Sequence, residues 1–209
     1  MKFSEEEIEF VLDEVKNRLS EKRFCHTLSV LKAARYIGSF FECIDLSELS
    51  VAAALHDVTK ELTHEEHIEL LNKSGAVVSD EDIKTAAVLH SLSAPAVILR
   101  DFPKYATESV ISAVKNHTMG DAKMSLFDRI VFIADYVEET RSYESCIKVR
   151  EEFYSGLSLG NDLAKNEYAL NKAVYDSLCF TEKDVLKRGR KLNSKSIESK
   201  DYFCKLLKA

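Results

Sequence analysis

Apolar residues recur along this chain at three- and four-residue intervals, the spacing of helices that bury one face. Ile8, Val11, Leu12, Val15 and Leu19 fall in phase and predict an amphipathic helix over 5–19. A second helix is predicted over 24–41, carrying Leu28, Leu31, Ala34 and Ile37. Residues 47–57 are apolar almost all round (Leu49, Val51, Ala52, Ala53, Ala54, Leu55), which predicts a helix buried on every side. The stretch 63–72 opens on Thr63 with Glu66 three residues on, a capping box, and Gly75 lies beyond its end. Further helices are predicted over 82–91, 94–99, 107–117 and 125–141, the last with a cap-like Ser125 and Asp128. After Arg141 the pattern predicts helices over 146–159, 163–179 and 182–190. The Lys- and Ser-rich stretch 192–209 predicts a linker and a short tail helix. One domain over 1–190 is therefore expected, followed by a polar tail over 191–209.

Composition supports an all-α class. Six glycines and two prolines supply too little turn chemistry for a many-stranded sheet protein. Apolar residues make up 45% and charged residues 31% of 209 residues, ample for a packed core. The net charge of −6 disfavours duplex nucleic acid as a partner, because such binding neutralises phosphates with Lys and Arg. An anionic ligand must then be held by a locally positive site. Five cysteines with no C-x-x-C pair suit a reduced, intracellular protein and not a disulfide scaffold. The acidic N-terminus has no signal-peptide character, and no apolar run reaches membrane-spanning length. A cytoplasmic location without membrane contact is expected.

Chemistry enters through an ordered set: His26, His56-Asp57, His90, His117 and Asp135. His26 is in phase with Val30, Ala33 and Ile37, and His117 with Val110, Ala113 and Val114. His90 is in phase with Ile83 and Ala86, and Asp135 lies four after Val131. His56 and Asp57 close the apolar run that ends at Leu55. Each polar group is thus expected to face a core. One such histidine alone reads as a core residue satisfied by a hydrogen bond. Six inward polar groups are harder to satisfy, since an unpartnered neutral group costs roughly 2–7 kcal/mol on burial. A metal centre satisfies them together, imidazole and carboxylate being its ligands. His64 and His67 serve as a contrast. They stand one turn apart among glutamates, not as H-E-x-x-H, and a solvated helix start is the better reading.

His26, His56-Asp57 and Asp135 resemble the H…HD…D signature of HD-superfamily phosphohydrolases, and His90 and His117 match the subset holding two metals. The context is similar to the YqeK family, bacterial symmetrical diadenosine tetraphosphate hydrolases with a di-iron-type centre. That similarity rests on Arg23-x-x-His26, His56-Asp57-Val58-Thr59-Lys60, Asn116-His117-Thr118-Met119-Gly120 and Ile133-Ala134-Asp135-Tyr136-Val137-Glu138-x-x-Arg141. It runs over about residues 5–190 and covers no motif in the tail. Three positions depart from the family pattern: Ser91 for Gly, Met119 for Thr and Glu139 for Pro. None removes a ligand.

The resemblance implies an HD-domain helical bundle around a buried dimetal site. His26, His56, Asp57 and Asp135 would hold one metal, and His90 and His117 the second, with Asp57 bridging. Iron is the metal the resemblance implies, while the donor set also admits manganese or zinc and suits magnesium less. Two divalent ions against two carboxylates leave a local charge of about +2, which attracts a polyphosphate. The implied reaction is hydrolysis of diadenosine tetraphosphate to two ADP by a metal-activated hydroxide. The leaving phosphate is weakly basic (second pKa about 6), so charge stabilisation matters more than a strong acid. Lys60, Arg23 and Arg141 are the expected phosphate holders, with Thr118 donating a hydroxyl hydrogen bond. Asp57, Lys60 and Arg141 are the residues expected to take part in catalysis. Two other readings stand beside this one: a phosphohydrolase for another nucleotide on the same centre, and a metal-dependent nucleotide sensor without turnover. Family members resemble homodimers, so a homodimer is expected.

Overall fold

The computed structural model describes residues 2–158 and 162–208, and every regular element among them is helical. Eleven α-helices follow one another: α1 (Glu5–Lys16), α2 (Glu21–Gly38), α3 (Leu46–Leu55), α4 (His64–Ser74), α5 (Asp80–Lys84), α6 (Leu89–Asp101), α7 (Glu108–Asn116), α8 (Leu126–Val137), α9 (Glu144–Gly156), α10 (Leu163–Lys187) and α11 (Ser194–Leu206). Short 3-10 turns at Ala86–Val88 and Pro103–Tyr105 flank α6. Met1, Leu159 and Ala209, which the predicted segments touch, lie outside the described residues.

Side-chain caps start most of these helices. Thr63 and Glu66 form the expected capping box on α4, and Ser125 with Asp128 forms one on α8. The same device opens α1 through Ser4 and Glu7. Each satisfies backbone N–H groups that a helix start leaves without partners. Gly75, at φ 67°, ends α4 in the left-handed conformation that a side chain resists.

Helix α3 is the hub. Ser47 through Leu55 are all buried, as the unbroken apolar run predicts. It packs against α1, α2, α7 and α8, so its C-terminal end is surrounded by structure. On α2 the buried face comprises His26, Val30, Ala33, Ala34 and Ile37, whereas Leu28, expected inside, is exposed.

Four predicted boundaries need correction, the first being the helix over 125–141, which ends at Val137 because the backbone of Glu138 turns extended and leaves Arg141 in the following loop. The predicted helix over 82–91 is broken at Thr85, whose backbone leaves the helical region, and α6 starts afresh at Leu89. From there α6 runs through Pro95, joining the predicted 94–99 segment to Leu89 and His90. The predicted pair 163–179 and 182–190 is one 25-residue helix, α10. Phe180 and Thr181 are tolerated inside it because its buried stripe (Leu170, Ala173, Val174, Ser177, Leu178) packs on α8 and α9.

The stretch 191–209, expected as a linker and short tail helix, holds the 13-residue α11. It lies along α10 with Phe203 only 1% exposed. Asn193 donates to Asp82, and Ser194 donates to Glu81 through both its amide and its hydroxyl. Phe203→Ala is expected to destabilise the protein by about 3–5 kcal/mol, as for other buried aromatics. Urea unfolding measures it; a change under about 0.5 kcal/mol, the range of ordinary surface substitutions, would mean that α11 is not anchored.

Candidate metal centre

Four helix ends and one helix face converge beside α3. His56 is the C-cap of α3 and His117 the C-cap of α7. Each ring bends back onto its own helix: His56 Nδ1 meets Ala53 O at 2.7 Å, and His117 Nδ1 meets Val114 O at 2.6 Å. A carbonyl only accepts, so both Nδ1 atoms carry the proton. Both Nε2 atoms are therefore lone pairs aimed inward. His26, on α2, meets Glu138 Oε1 at 3.1 Å through Nδ1 and also turns Nε2 inward. His90 lies in the first turn of α6 and Asp135 in the last turn of α8. C-terminal helix ends carry partial negative charge, which favours a cation between them.

Asp57 stands at the middle, 2% exposed. Its oxygens divide the site. Oδ2 lies 3.4 Å from His56 Nε2 and 3.8 Å from His26 Nε2. Oδ1 lies 3.3 Å from His90 Nε2 and 3.6 Å from His117 Nε2. Asp135 Oδ1 is 3.0 Å from His26 Nε2 and 3.9 Å from His56 Nε2. His26 Nε2 is buried without a hydrogen-bond partner. His56 Nε2 and Asp57 Oδ1 are likewise buried without a hydrogen-bond partner. Three such atoms in one cluster call for a cation.

The donors fit one. Atoms bound about 2.1 Å from a divalent ion stand about 3.0–3.5 Å apart, close to the separations seen. His26, His56 and Asp57 form one compatible triplet, Asp57, His90 and His117 another, and His56, His117 and Asp135 a third. The buried His/Asp cluster is suited to divalent metal.

Electrostatics prepare the same atoms. Burial opposes charge on Asp57, but nearby positive charge, Lys60 included, outweighs it and holds its carboxyl well below the usual range. Asp135 is also held well below its usual value: burial opposes its charge, while Arg141 and His26 outweigh burial. Burial keeps His90 and His117 neutral, as ligands must be. Burial also opposes charge on His26, yet Asp135 and Glu138 prevail and raise it to about 9.

The basic residues expected at a phosphate are present but engage carboxylates. Arg23 Nη1 lies 2.9 Å from Asp57 Oδ2. Arg141 grips Asp135 twice, through Oδ1 at 2.5 Å and the backbone oxygen at 2.6 Å. Lys60 Nζ lies 2.9 Å from His90 Nε2, and Thr118 Oγ1 lies 3.0 Å from the same atom. A cavity of about 560 Å³ opens beside His26, lined by Lys22, Arg23, Glu138, Arg141 and the exposed aromatic Tyr143.

Some residues near the site were given no role by the sequence, although Glu138 and Thr59 stand within its motifs. Glu138, fully buried, fixes His26 and is itself held by the amide and hydroxyl of Thr140; burial opposes its charge, but His26 and these donors lower it to about 2. Thr59 donates to His90 O at 2.8 Å. His67, read as solvated, is 4% exposed and meets Ser93 Oγ at 2.8 Å, because α4 packs its His67 face on α6. His64 is exposed, as expected, and reaches Ile83 O. The phase given for His90 was also wrong. Ile83 and Ala86 belong to other elements, and His90 shares a buried face with Ala94 and Val97.

An HD domain pattern matches residues 23–140, which include all six expected ligands. A symmetrical bis(5'-nucleosyl)-tetraphosphatase of Halalkalibacterium halodurans is 30% identical over 178 residues, 84% of this chain and 86% of that protein. One from Staphylococcus aureus is 25% identical over 194 residues, 90% of each. Among solved structures, a predicted HD superfamily hydrolase involved in NAD metabolism from Clostridium acetobutylicum is similar with a TM-score of 0.82. It is 30% identical, and the match covers 98% of both chains.

Two outcomes are expected from metal titration. Glu138→Ala weakens metal affinity by about 10–100-fold, since it frees the His26 ring. Metal uptake at neutral pH releases close to one proton from His26, because its raised value keeps it charged until a metal takes Nε2. Affinity then rises with pH up to about 9 and levels off. Calorimetry in buffers of different ionisation enthalpy counts the proton, and no release would contradict the assignment.

Proposed function

The chain belongs to the HD-domain family, within it to the group of symmetrical bis(5'-nucleosyl)-tetraphosphatases, and on that premise we propose that it hydrolyses diadenosine tetraphosphate to two ADP. The observation that carries the proposal is the division of Asp57. One oxygen faces the His26–His56 pair and the other the His90–His117 pair, as a bridge between two cations requires. In this reading His26, His56, Asp57 and Asp135 hold one cation, and His90 and His117 hold the second with Asp57. Bound there, the cations supply positive charge at the phosphates and lower the pKa of a water.

The rest falls to the chain's own side chains. The cavity beside His26 is of a size that suits one nucleotide half. Arg23 and Arg141 border it, each about 30% exposed, with guanidinium donors to spare for phosphate oxygens. Their contacts with Asp57 and Asp135 also keep those carboxylates ionised and in place. Tyr143 on the rim offers a face on which a base stacks. Thr118 and Lys60 approach from the His90 side and bind phosphate oxygens there. Water adds to one of the two central phosphorus atoms, and the bond from it to the central bridging oxygen breaks. The departing ADP is a weak base and needs little help from an acid. Iron as the metal and a homodimeric state are implied by the family resemblance, a cytoplasmic location is the expectation from sequence, and all three belong to this proposal. Among the described residues no helix is long and apolar enough to cross a membrane.

A second reading, hydrolysis of another nucleotide on the same centre, is favoured by the involvement in NAD metabolism of the similar Clostridium acetobutylicum protein. Chromatography of products separates the two. Diadenosine tetraphosphate incubated with metal-loaded protein is expected to give ADP alone. An AMP and ATP pair, or no turnover with any of several loaded metals, would overturn the assignment. Arg141→Ala is expected to lower kcat/KM at least about tenfold, the loss of one charge-assisted phosphate contact.

A further inference from the structure

Lys60 sits where a second cation would otherwise stand. Its ammonium lies 2.9 Å from His90 Nε2 and 3.6 Å from Asp57 Oδ1, two of the three donors facing the second cation position. The backbone fixes this approach. Lys60 N donates to Asp57 O at 2.8 Å, and Thr59 Oγ1 donates to His90 O at 2.8 Å, tying the turn after α3 to α6. His90 Nε2 also has His117 Nε2 at 3.0 Å and Thr118 Oγ1 at 3.0 Å. The His117 atom is a lone pair, since its ring proton is committed to Val114 O. The His90–Asp57 side therefore needs positive charge, and Lys60 supplies it.

We propose that Lys60 is an internal competitor for the second cation: its ammonium holds His90 and Asp57 until a divalent ion displaces it. A nitrogen lone pair serves one partner, so His90 Nε2 cannot both accept from Lys60 and bind a metal. Two positive charges within about 4 Å also repel strongly away from bulk water. Lys60 stays charged throughout, and only its position changes. Its side chain is 30% exposed, which leaves the four-carbon stem room to turn toward solvent. There the released ammonium meets whatever anion the cations hold. Second-metal loading and the anion grip of Lys60 are thereby one event. By linkage, each strengthens the other.

The first cation position meets a different kind of neighbour. Arg141 Nη2 lies 2.5 Å from Asp135 Oδ1 and Arg23 Nη1 2.9 Å from Asp57 Oδ2, both on carboxylate oxygens, which keep lone pairs for a metal, whereas Lys60 takes the one lone pair of an imidazole nitrogen. The two positions should therefore fill in order, with the Lys60 side last.

The inference rests on the two-cation reading of the site, and the test separates the two. Mn²⁺ is titrated into the full-length protein by calorimetry, with electron paramagnetic resonance reporting the exchange-coupled pair. The wild type is expected to bind one ion tightly and a second more weakly. Lys60→Met keeps the stem and removes the charge. It should tighten the second step by about tenfold or more, within the usual reach of a residue touching metal ligands, and leave the first within about threefold. The coupled signal then appears at lower added metal. Lys60→Arg keeps the charge and should leave the second step weak. An unchanged or weaker second step in Lys60→Met, or equal tightening in Lys60→Arg, would sink the Lys60 role alone. Absence of Mn²⁺ binding in every protein would remove the two-cation reading as well. If Lys60→Met loses its helical circular dichroism, Lys60→Gln takes its place with the same expected result.

Discussion

Three imidazole rings are held by their outer nitrogens, and the rest of the site follows from that constraint. Ala53 O, Val114 O and Glu138 take the Nδ1 protons of His56, His117 and His26. Their inner nitrogens then have no choice but to face the Asp57 carboxylate, those of His56 and His117 as lone pairs and that of His26 with the proton its raised value of about 9 retains. Lone pairs and carboxylates repel one another, and burial forbids water from relieving them in bulk. Positive charge relieves them. Arg23, Lys60 and Arg141 supply part of it from the edges. A divalent ion among the inner nitrogens supplies the rest, and its binding adds to folding stability by mass action.

The fold is arranged to hold that constraint. Helix α3 is buried on every side, so its last turn cannot shift without moving α1, α2, α7 and α8. His56 and His117 use their rings to cap the helices they terminate, which fixes ring orientation and local backbone with one bond each. The buried face of α2 brings His26 to the same point, and α8 brings Asp135 and then Glu138 behind it. Helices and the buried start of the turn after α3 supply the inner donors, while the outer part of that turn and the loop after α8 supply Lys60, Thr140 and Arg141. That division suits a charge centre that must keep its geometry beside groups that must meet a substrate.

Much of this was legible in the sequence, for physical reasons that differ by residue. His26 and His117 sit on helices whose apolar stripes are unbroken, so phase alone turns them inward. The buried hub was legible because 47–55 offers no polar face for water. His90 was found for the wrong reason: the helix assumed through Ile83 and Ala86 is interrupted at Thr85, and its true face starts at Leu89. His67 was missed because a helix start among glutamates looks solvated, yet Ser93 on α6 gives its ring a partner. Glu138 stood inside the predicted 125–141 helix with no role, whereas α8 ends at Val137, and only its distance to His26 reveals its task. The single helix α10 was read as two because Phe180 and Thr181 interrupt the pattern, a local preference that tertiary packing overrides. The docking of α11 depends on contacts such as Ser194 with Glu81, far apart in sequence.

The most direct measurement is anomalous X-ray diffraction from crystals of the protein loaded with manganese or iron. Two peaks are predicted, one among His26, His56, Asp57 and Asp135 and one among Asp57, His90 and His117, with the Asp57 carboxylate between them. A single peak, or metal bound elsewhere with the inner nitrogens hydrogen-bonded to one another, would contradict the account.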